Sequence, residues 1–191
     1  MSGRAVPTFV AMLRGINVGG HKIVKMERLR ATFEALGFGN VRTYVQSGNV
    51  AFDGQGVPAK VAEKIAEKIA ARIERDFGFA VPVTVLTGEA LGRVIAENPF
   101  VKEKGIDPAK LHVTFLSGSA AAEGLKRLGT LAAGPDRFSC RTTSTSIYLH
   151  CPGGYGTSKL SNGAIEKALA LGATTRNWKT VTTLHRMAVG G

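Results

Sequence analysis

Val41 to Phe52 reads VRTYVQSGNVAF. Val41–Gln46 is β-prone, Ser47-Gly48-Asn49 has the residue types of a tight turn, and Val50–Phe52 resumes an apolar strand, so the stretch is a hairpin. Helix patterns flank it. Upstream, Met26, Leu29, Phe33 and Leu36 recur at helical spacing and Gly37 stops the run; before them, Thr8–Leu13 is a short apolar β-rich segment, a buried strand. Downstream, Val57, Val61, Ile65, Ile69, Ile73 and Phe77 form an i, i+4 stripe closed by Gly78, and Val81–Leu86 is again a strand. A hairpin between two helices, with one more strand outside each, is the order β-α-β-β-α-β.

The pattern then restarts. Glu89–Ala96 is a short helix broken at Asn98-Pro99, and the polar stretch Lys102–Pro108 is the joint. Leu111–Leu116 reads as a strand, Ala120–Leu128 as a helix, and Arg137–Thr142 and Ser146–Cys151 as strands. Lys159–Leu171 reads as a helix capped by Gly172. Trp178, Val181, Leu184 and Ala188 suit a last helix, standing where a sixth element should be a strand. The expected fold is α+β, with duplicated ferredoxin-like (βαββαβ) halves at residues 1–100 and 101–191 and extra helices in the second. A chain of 191 residues can bury a core in either half.

Charge is the strongest compositional signal. Lys plus Arg number 25 and Asp plus Glu 14, for a net charge of +11. The excess is +5 in residues 1–50, −1 in 51–100 and +7 in 101–191. Residues 1–26 contain no carboxylate side chain, and none follows Glu166. Such a surface attracts phosphate or nucleic acid. No apolar run approaches the ~20 residues that span a bilayer, so no membrane association is expected. Arg4 followed by Val6–Leu13 faintly resembles a signal peptide. The run is short, Arg14 closes it and no A-x-A pattern follows, so the expectation is a first strand in a cytoplasmic protein. Two cysteines, Cys140 and Cys151, form neither a disulfide framework nor a zinc set. They are expected to be reduced, on paired strands.

Four segments carry residues suited to chemistry. In Leu13–Lys22 (LRGINVGGHK), glycines after a strand let backbone N–H groups converge on an anion, with Arg14, His21 and Lys22 as side-chain donors; Arg14, Gly15, Asn17, Gly19, Gly20 and Lys22 are the candidate ligand-binding residues. It is no nucleotide P-loop: Gly15 and Gly20 have the spacing, but His21 stands where the lysine belongs and Ile23 offers no hydroxyl for magnesium. In Tyr44–Val50, Ser47 and Asn49 make a turn, and Gln46 and Asn49 are candidate pocket liners. Ser47 lacks the nucleophile-elbow pattern and an activating base. In Gly153–Leu160 (GGYGTSKL), Ser158 is the expected N-cap and Lys159 lies in the expected first turn, where the helix dipole makes an anion welcome. Lys159 also occupies the last glycine of a dinucleotide fingerprint, which therefore fails. In Thr174–Thr180 (TTRNWKT), Arg176, Asn177 and Lys179 lie at an expected helix N-terminus, and Trp178 reads as a core residue.

No paired carboxylates accompany these segments, and His21, His112, His150 and His185 have no metal-ligand spacing. Hydrolase and metalloenzyme readings are not supported, and neither a metal nor a cofactor is expected. Lys60, Lys64, Lys68 and Arg72, flanked by Glu63, Glu67 and Glu74, read as an ordinary solvated helix face.

Taken together, LRGINVGG (Leu13–Gly20), TYVQSGN (Thr43–Asn49), NPF (Asn98–Phe100), SKL (Ser158–Leu160) and TTRNWKTV (Thr174–Val181) resemble a bacterial family of conserved hypothetical proteins, domain of unknown function 1697. The resemblance covers essentially the whole chain and implies a small α+β protein with ferredoxin-like halves. The family's activity is not established, so no reaction comes with it. The expected function is binding of a phosphorylated or anionic ligand, nucleic acid or nucleotide, through the Gly-rich basic loops, which would meet around one cleft. The alternative is an enzyme acting on a small anionic metabolite clamped by Arg14, Lys22, Lys159 and Arg176.

Overall fold

The computed structural model describes residues 6–54, 61–132 and 134–190; Arg4, Val57 and Lys60 lie outside them. The chain forms two compact units, one comprising the described residues of Met1–Gly92 with Thr183–Gly191, the other Arg93–Thr182.

In the first unit the order is β1 (Thr8–Leu13), α1 (Met26–Glu34), β2 (Gly39–Tyr44), β3 (Asn49–Asp53), α2 (Ala62–Phe77) and β4 (Val83–Thr87), followed by the start of α3 (Gly88–Ala96). The sheet is antiparallel in the order β2-β3-β1-β4. The hairpin is shorter than the sequence suggests, because Val45 to Gly48 all belong to the turn and Asn49 already opens β3. Phe9, Ala11 and Leu13 on one face of β1 share a core with Leu29 and Phe33 of α1 and with Ile65, Ile69 and Ile73 of α2. Phe52 sits at its centre, 4.6 Å from the ring of Phe38 and 5.2 Å from that of Phe33. Each isoleucine of the stripe contributes about 1.5–3 kcal/mol by burial. Gly78 ends α2 at φ 81°, the left-handed cap its sequence position calls for.

Two residues of the expected solvated face are engaged. Arg72 Nε bonds Asp76 at 2.8 Å, and Lys68 donates to the Leu36 carbonyl. Asp76 also accepts from the Thr32 hydroxyl, while Arg28 donates to its main-chain carbonyl, so this carboxylate joins α1 to α2. Gly88 and Gly92 of α3 allow a close approach of α6 (Trp178–Val189): a Cβ at Gly92 would lie 2.8 Å from His185 Nε2, and one at Gly88 3.0 Å from Ala188 Cβ.

The second unit contains β5 (Leu111–Leu116), α4 (Ala122–Leu131), β6 (Arg137–Ser139), β7 (Ser146–His150), α5 (Asn162–Leu169) and β8 (Ala173–Asn177), which runs directly into α6. Its sheet is also antiparallel, in the order β6-β7-β5-β8. The sixth element is therefore a strand, and α6 follows it. Ala173 is the one apolar residue of β8, so the strand carries no apolar alternation; Thr174 is buried even so. Helix α5 is shorter than Lys159–Leu171. Its N-cap is Ser161, whose Oγ accepts from the Ala164 N–H, and its left-handed cap is Ala170 rather than Gly172. Cys140 and Cys151 are free thiols but lie on no strand. Each follows its strand at an opposite end of the β6–β7 pair, since Arg137 faces His150 and Ser139 faces Tyr148. Burial pushes the Cys140 thiol up to about 11 and raises that of Cys151. Asn98 of the NPF segment is a buried cap whose Oδ1 accepts from the Phe100 N–H.

Candidate functional site

In the first unit three loops gather at one end of the sheet, because β1 ends where β3 and β4 begin: Met12 faces Asn49, and Leu13 faces Val83. The Leu13 N–H donates to the Gly48 carbonyl at 2.8 Å, and the Arg14 N–H to the Pro82 carbonyl at 3.0 Å. The Gly-rich segment then folds on itself. Val18 bridges His21 around Gly19 (φ 59°) and Gly20 (φ 77°), a two-residue turn that needs both residues left-handed. The Asn17 N–H donates to the Lys22 carbonyl, closing the loop.

Asn17 holds these loops together. Its Oδ1 accepts from the Val24 N–H at 2.8 Å, and its Nδ2 donates to the carbonyls of Val24 at 3.0 Å and Gln46 at 2.8 Å. Gly48 completes the junction, because a Cβ there would lie 2.7 Å from Leu13 Cβ and from Ile16 Cδ1. Asn49 is fully buried, and its Nδ2 donates to Ser47 Oγ and the Tyr44 carbonyl. Asn17 and Asn49 are thus part of the scaffold, and Asn49 is not a pocket liner.

Gly15, Gly19, Gly20, His21, Lys22, Gln46 and Ser47 are exposed, and Arg14 is half-buried. The Lys22 ammonium is anchored by the Ala80 carbonyl at 2.7 Å and lies over the Phe79 ring. Segments 14–25, 45–48 and 79–82 contain no Asp or Glu. The 78–82 connection carries no sequence motif and escapes sequence reading; its signal is the carbonyls it offers. A cavity of about 200 Å³ in this unit is lined by Pro7, Thr8, Thr87, Gly88, Glu89, Ala188 and Val189, none of them a candidate residue.

In the second unit the other two segments also share one end of a sheet, where β7 and β8 finish beside the start of β5. Tyr155 stacks on His112 with ring centroids 4.9 Å apart, and burial lowers the pKa of that imidazole, a bond at Lys110 opposing it. Ser158 does not cap α5: its Oγ accepts from the Leu160 N–H in a local turn and bonds the Cys151 thiol. Lys159 is exposed and precedes the helix, so it does not occupy a first turn. The Thr175 hydroxyl donates to Asn162 Oδ1 and meets Thr114 Oγ1, each at 2.7 Å, which ties the 174–180 segment to the start of α5. Neither Asn162 nor Thr114 was marked by sequence motif.

Arg176 and Lys179 fall on different elements. Arg176 belongs to β8, donates to the Thr175 carbonyl, and is pushed down to about 10 by burial. Lys179 is exposed in the first turn of α6, which Asn177 caps by accepting from the Thr180 N–H at 2.8 Å. Gly15 to Asn49 therefore form one group in the first unit and Ser158 to Lys179 another in the second. Among the described residues no three His, Cys, Asp or Glu side chains are grouped to hold a metal ion, and no helix is long and apolar enough to cross a membrane.

Among the described residues these features define an α+β protein with two four-stranded antiparallel sheets and six α-helices, its polar Gly-rich segments at the sheet ends. The chain belongs to the family described as protein of unknown function (DUF1697), whose model matches residues 6–148. Its structure is similar to that of a conserved bacterial protein from Streptococcus pneumoniae, with a TM-score of 0.73 at 21% identity over 96% of this chain and 99% of that one. No curated protein matches the sequence.

Proposed function

We propose that the protein binds a phosphorylated polyanion, nucleic acid, through the exposed Gly-rich loops of the first unit. The observation that carries this reading is the Asn17 carboxamide, which fixes the 14–25 loop against the 45–48 turn. Gly15, Gly19, Gly20, Arg14 and Lys22 all belong to the loop so fixed, and segments 14–25 and 45–48 carry no carboxylate side chain. Backbone N–H groups and basic side chains together suit phosphate oxygens. Exposed loops suit an extended ligand, and the cavity described above belongs to other residues, which favours nucleic acid over a small enclosed metabolite. Lys159 and Lys179 of the second unit supply further exposed positive charge.

The two units have the same element order and the same strand order, which supports reading the chain as a duplicated ferredoxin-like unit. On that reading the two repeats fall within residues 1–100 and 101–191, although the compact units divide at Gly92 and Thr183; a cytoplasmic location is proposed from the sequence alone.

The test is fluorescence anisotropy with labelled oligonucleotides at low salt, where weak, sequence-tolerant binding is expected. Absence of binding overturns the proposal and leaves the small anionic metabolite. Nucleotides and sugar phosphates would then be screened for a concentration-dependent rise in melting temperature.

A further inference from the structure

The loop end of the first unit carries a second feature, which is apolar. Val18 is 66% exposed, Ile23 61% and Val45 54%. Each is the chain neighbour of one of the three residues joined by the Asn17 carboxamide: Asn17 itself, Val24 and Gln46. Among the described residues, the other large apolar side chains exposed in this unit, Val6 and Val189, lie on other segments.

Val45 is the most telling of the three. It sits at φ 49°, in the left-handed region that a β-branched side chain resists. Solvent does not favour an exposed valine, and the backbone here does not favour valine at all. Strain of this kind gathers where a side chain is held for contact. Arg14 and Lys22 stand on the same loops, and segments 14–25 and 45–48 contain no carboxylate, so charge and exposed apolar surface together suit an anionic ligand with an apolar face.

We propose that this surface prefers single-stranded to duplex nucleic acid, an inference that rests on the nucleic-acid reading above. A duplex turns its phosphates outward and hides its base faces in the stack. A single strand presents both. The basic groups and glycine N–H groups hold phosphates, while Val18, Ile23 and Val45 lie against unstacked bases. An anionic bilayer offers the same charge, but interfacial anchors are rich in Trp and Tyr, and segments 14–25 and 45–48 contain neither. With a single strand the ligand supplies the flat aromatic face. Aliphatic contacts read no base edges, so the preference is for strandedness and not for sequence.

The experiment compares labelled oligothymidylate with its duplex on oligoadenylate at one low salt concentration, using the full chain. The single strand is expected to bind about five- to tenfold more tightly. Combining Val18→Ser, Ile23→Ser and Val45→Asn should remove that preference while the duplex affinity and the salt slope stay as in the parent. Val6→Ser with Val189→Ser should leave the preference intact, and melting temperatures confirm that both variants are folded. Equal affinity of the parent for the two ligands, or a preference that survives the triple substitution, overturns the inference but not the nucleic-acid reading. Binding to phosphatidylserine vesicles with no binding to either oligonucleotide overturns both.

Discussion

Asn17 Nδ2 donates to the Gln46 carbonyl at 2.8 Å across 29 residues of chain. One carboxamide so joins a Gly-rich loop to a hairpin turn, and it makes two further bonds to Val24. Asn17→Ala removes all three and leaves an alanine at φ 55°. It is expected to destabilise the protein by about 2–4 kcal/mol in urea unfolding, because carbonyls lose donors and left-handed alanine adds strain. A loss under about 0.5 kcal/mol would mean that water replaces the amide and that the loops are not held by it.

Gly48 and Gly37 separate two effects of a left-handed glycine. Both have positive φ, 72° and 84°, but a Cβ at Gly48 meets Leu13 and Ile16 at 2.7 Å whereas one at Gly37 meets nothing within 4 Å. Gly37→Ala is expected to cost about 1 kcal/mol from the backbone alone. Gly48→Ala should cost about 2 kcal/mol more, because two buried side chains must shift. Equal melting temperatures for the two variants would contradict the close approach.

Val45→Asn should raise stability by about 1 kcal/mol, since asparagine tolerates the left-handed region where valine does not. Thermal unfolding checks this. A lower melting temperature would show that the valine side chain stabilises the turn and is not held there against strain.

Alkaline pH should destabilise the second unit. Burial raises the Cys140 thiol to about 11, and burial followed by the nearby Glu97 raises the Tyr148 hydroxyl to about 12, where it donates to the Val94 carbonyl at 2.9 Å. Both groups are held protonated by the fold, so their stabilisation is complete below the unfolded values of 9.0 and 10.0. It is lost as pH rises through about 11 and about 12. Urea midpoints should therefore fall above pH 9, and Tyr148→Phe should fall less steeply than the parent. The same raised pKa predicts that Cys140 reacts slowly with iodoacetamide at pH 8.

The elements that sequence reading found are those with a period. The α2 stripe and the apolar run of β1 repeat a burial pattern that survives in the chain as spacing. Strand β8 has no such pattern: Thr174 is buried and Thr175 is spent on a hydroxyl chain, so the segment reads as the N-terminus of the helix that follows it. Ser158 and Ser161 are interchangeable as caps by residue type. Which one begins α5 depends on where each hydroxyl finds an N–H, and Ser158 uses its own on Leu160. The Gly-rich segments were legible as loops, but Asn17 was not legible as their fastening, because a bond to a carbonyl 29 residues away leaves no spacing to read. The exposed aliphatic residues were hidden for the same reason, since Val45 is tied to the segment of Val18 and Ile23 only through the Asn17–Gln46 bond.

The central claim is that the loop end of the first unit contacts phosphates, and the salt dependence of oligonucleotide binding tests it most directly. The logarithm of affinity should fall linearly with the logarithm of salt concentration, by about 0.7 to 0.9 for each phosphate neutralised. Arg14→Ala with Lys22→Ala should flatten that slope by about one to two phosphates. Lys64→Ala with Lys104→Ala, exposed charges on other segments of the chain, should leave it unchanged. Equal flattening by both pairs would reduce the attraction to diffuse net charge and contradict a site at these loops.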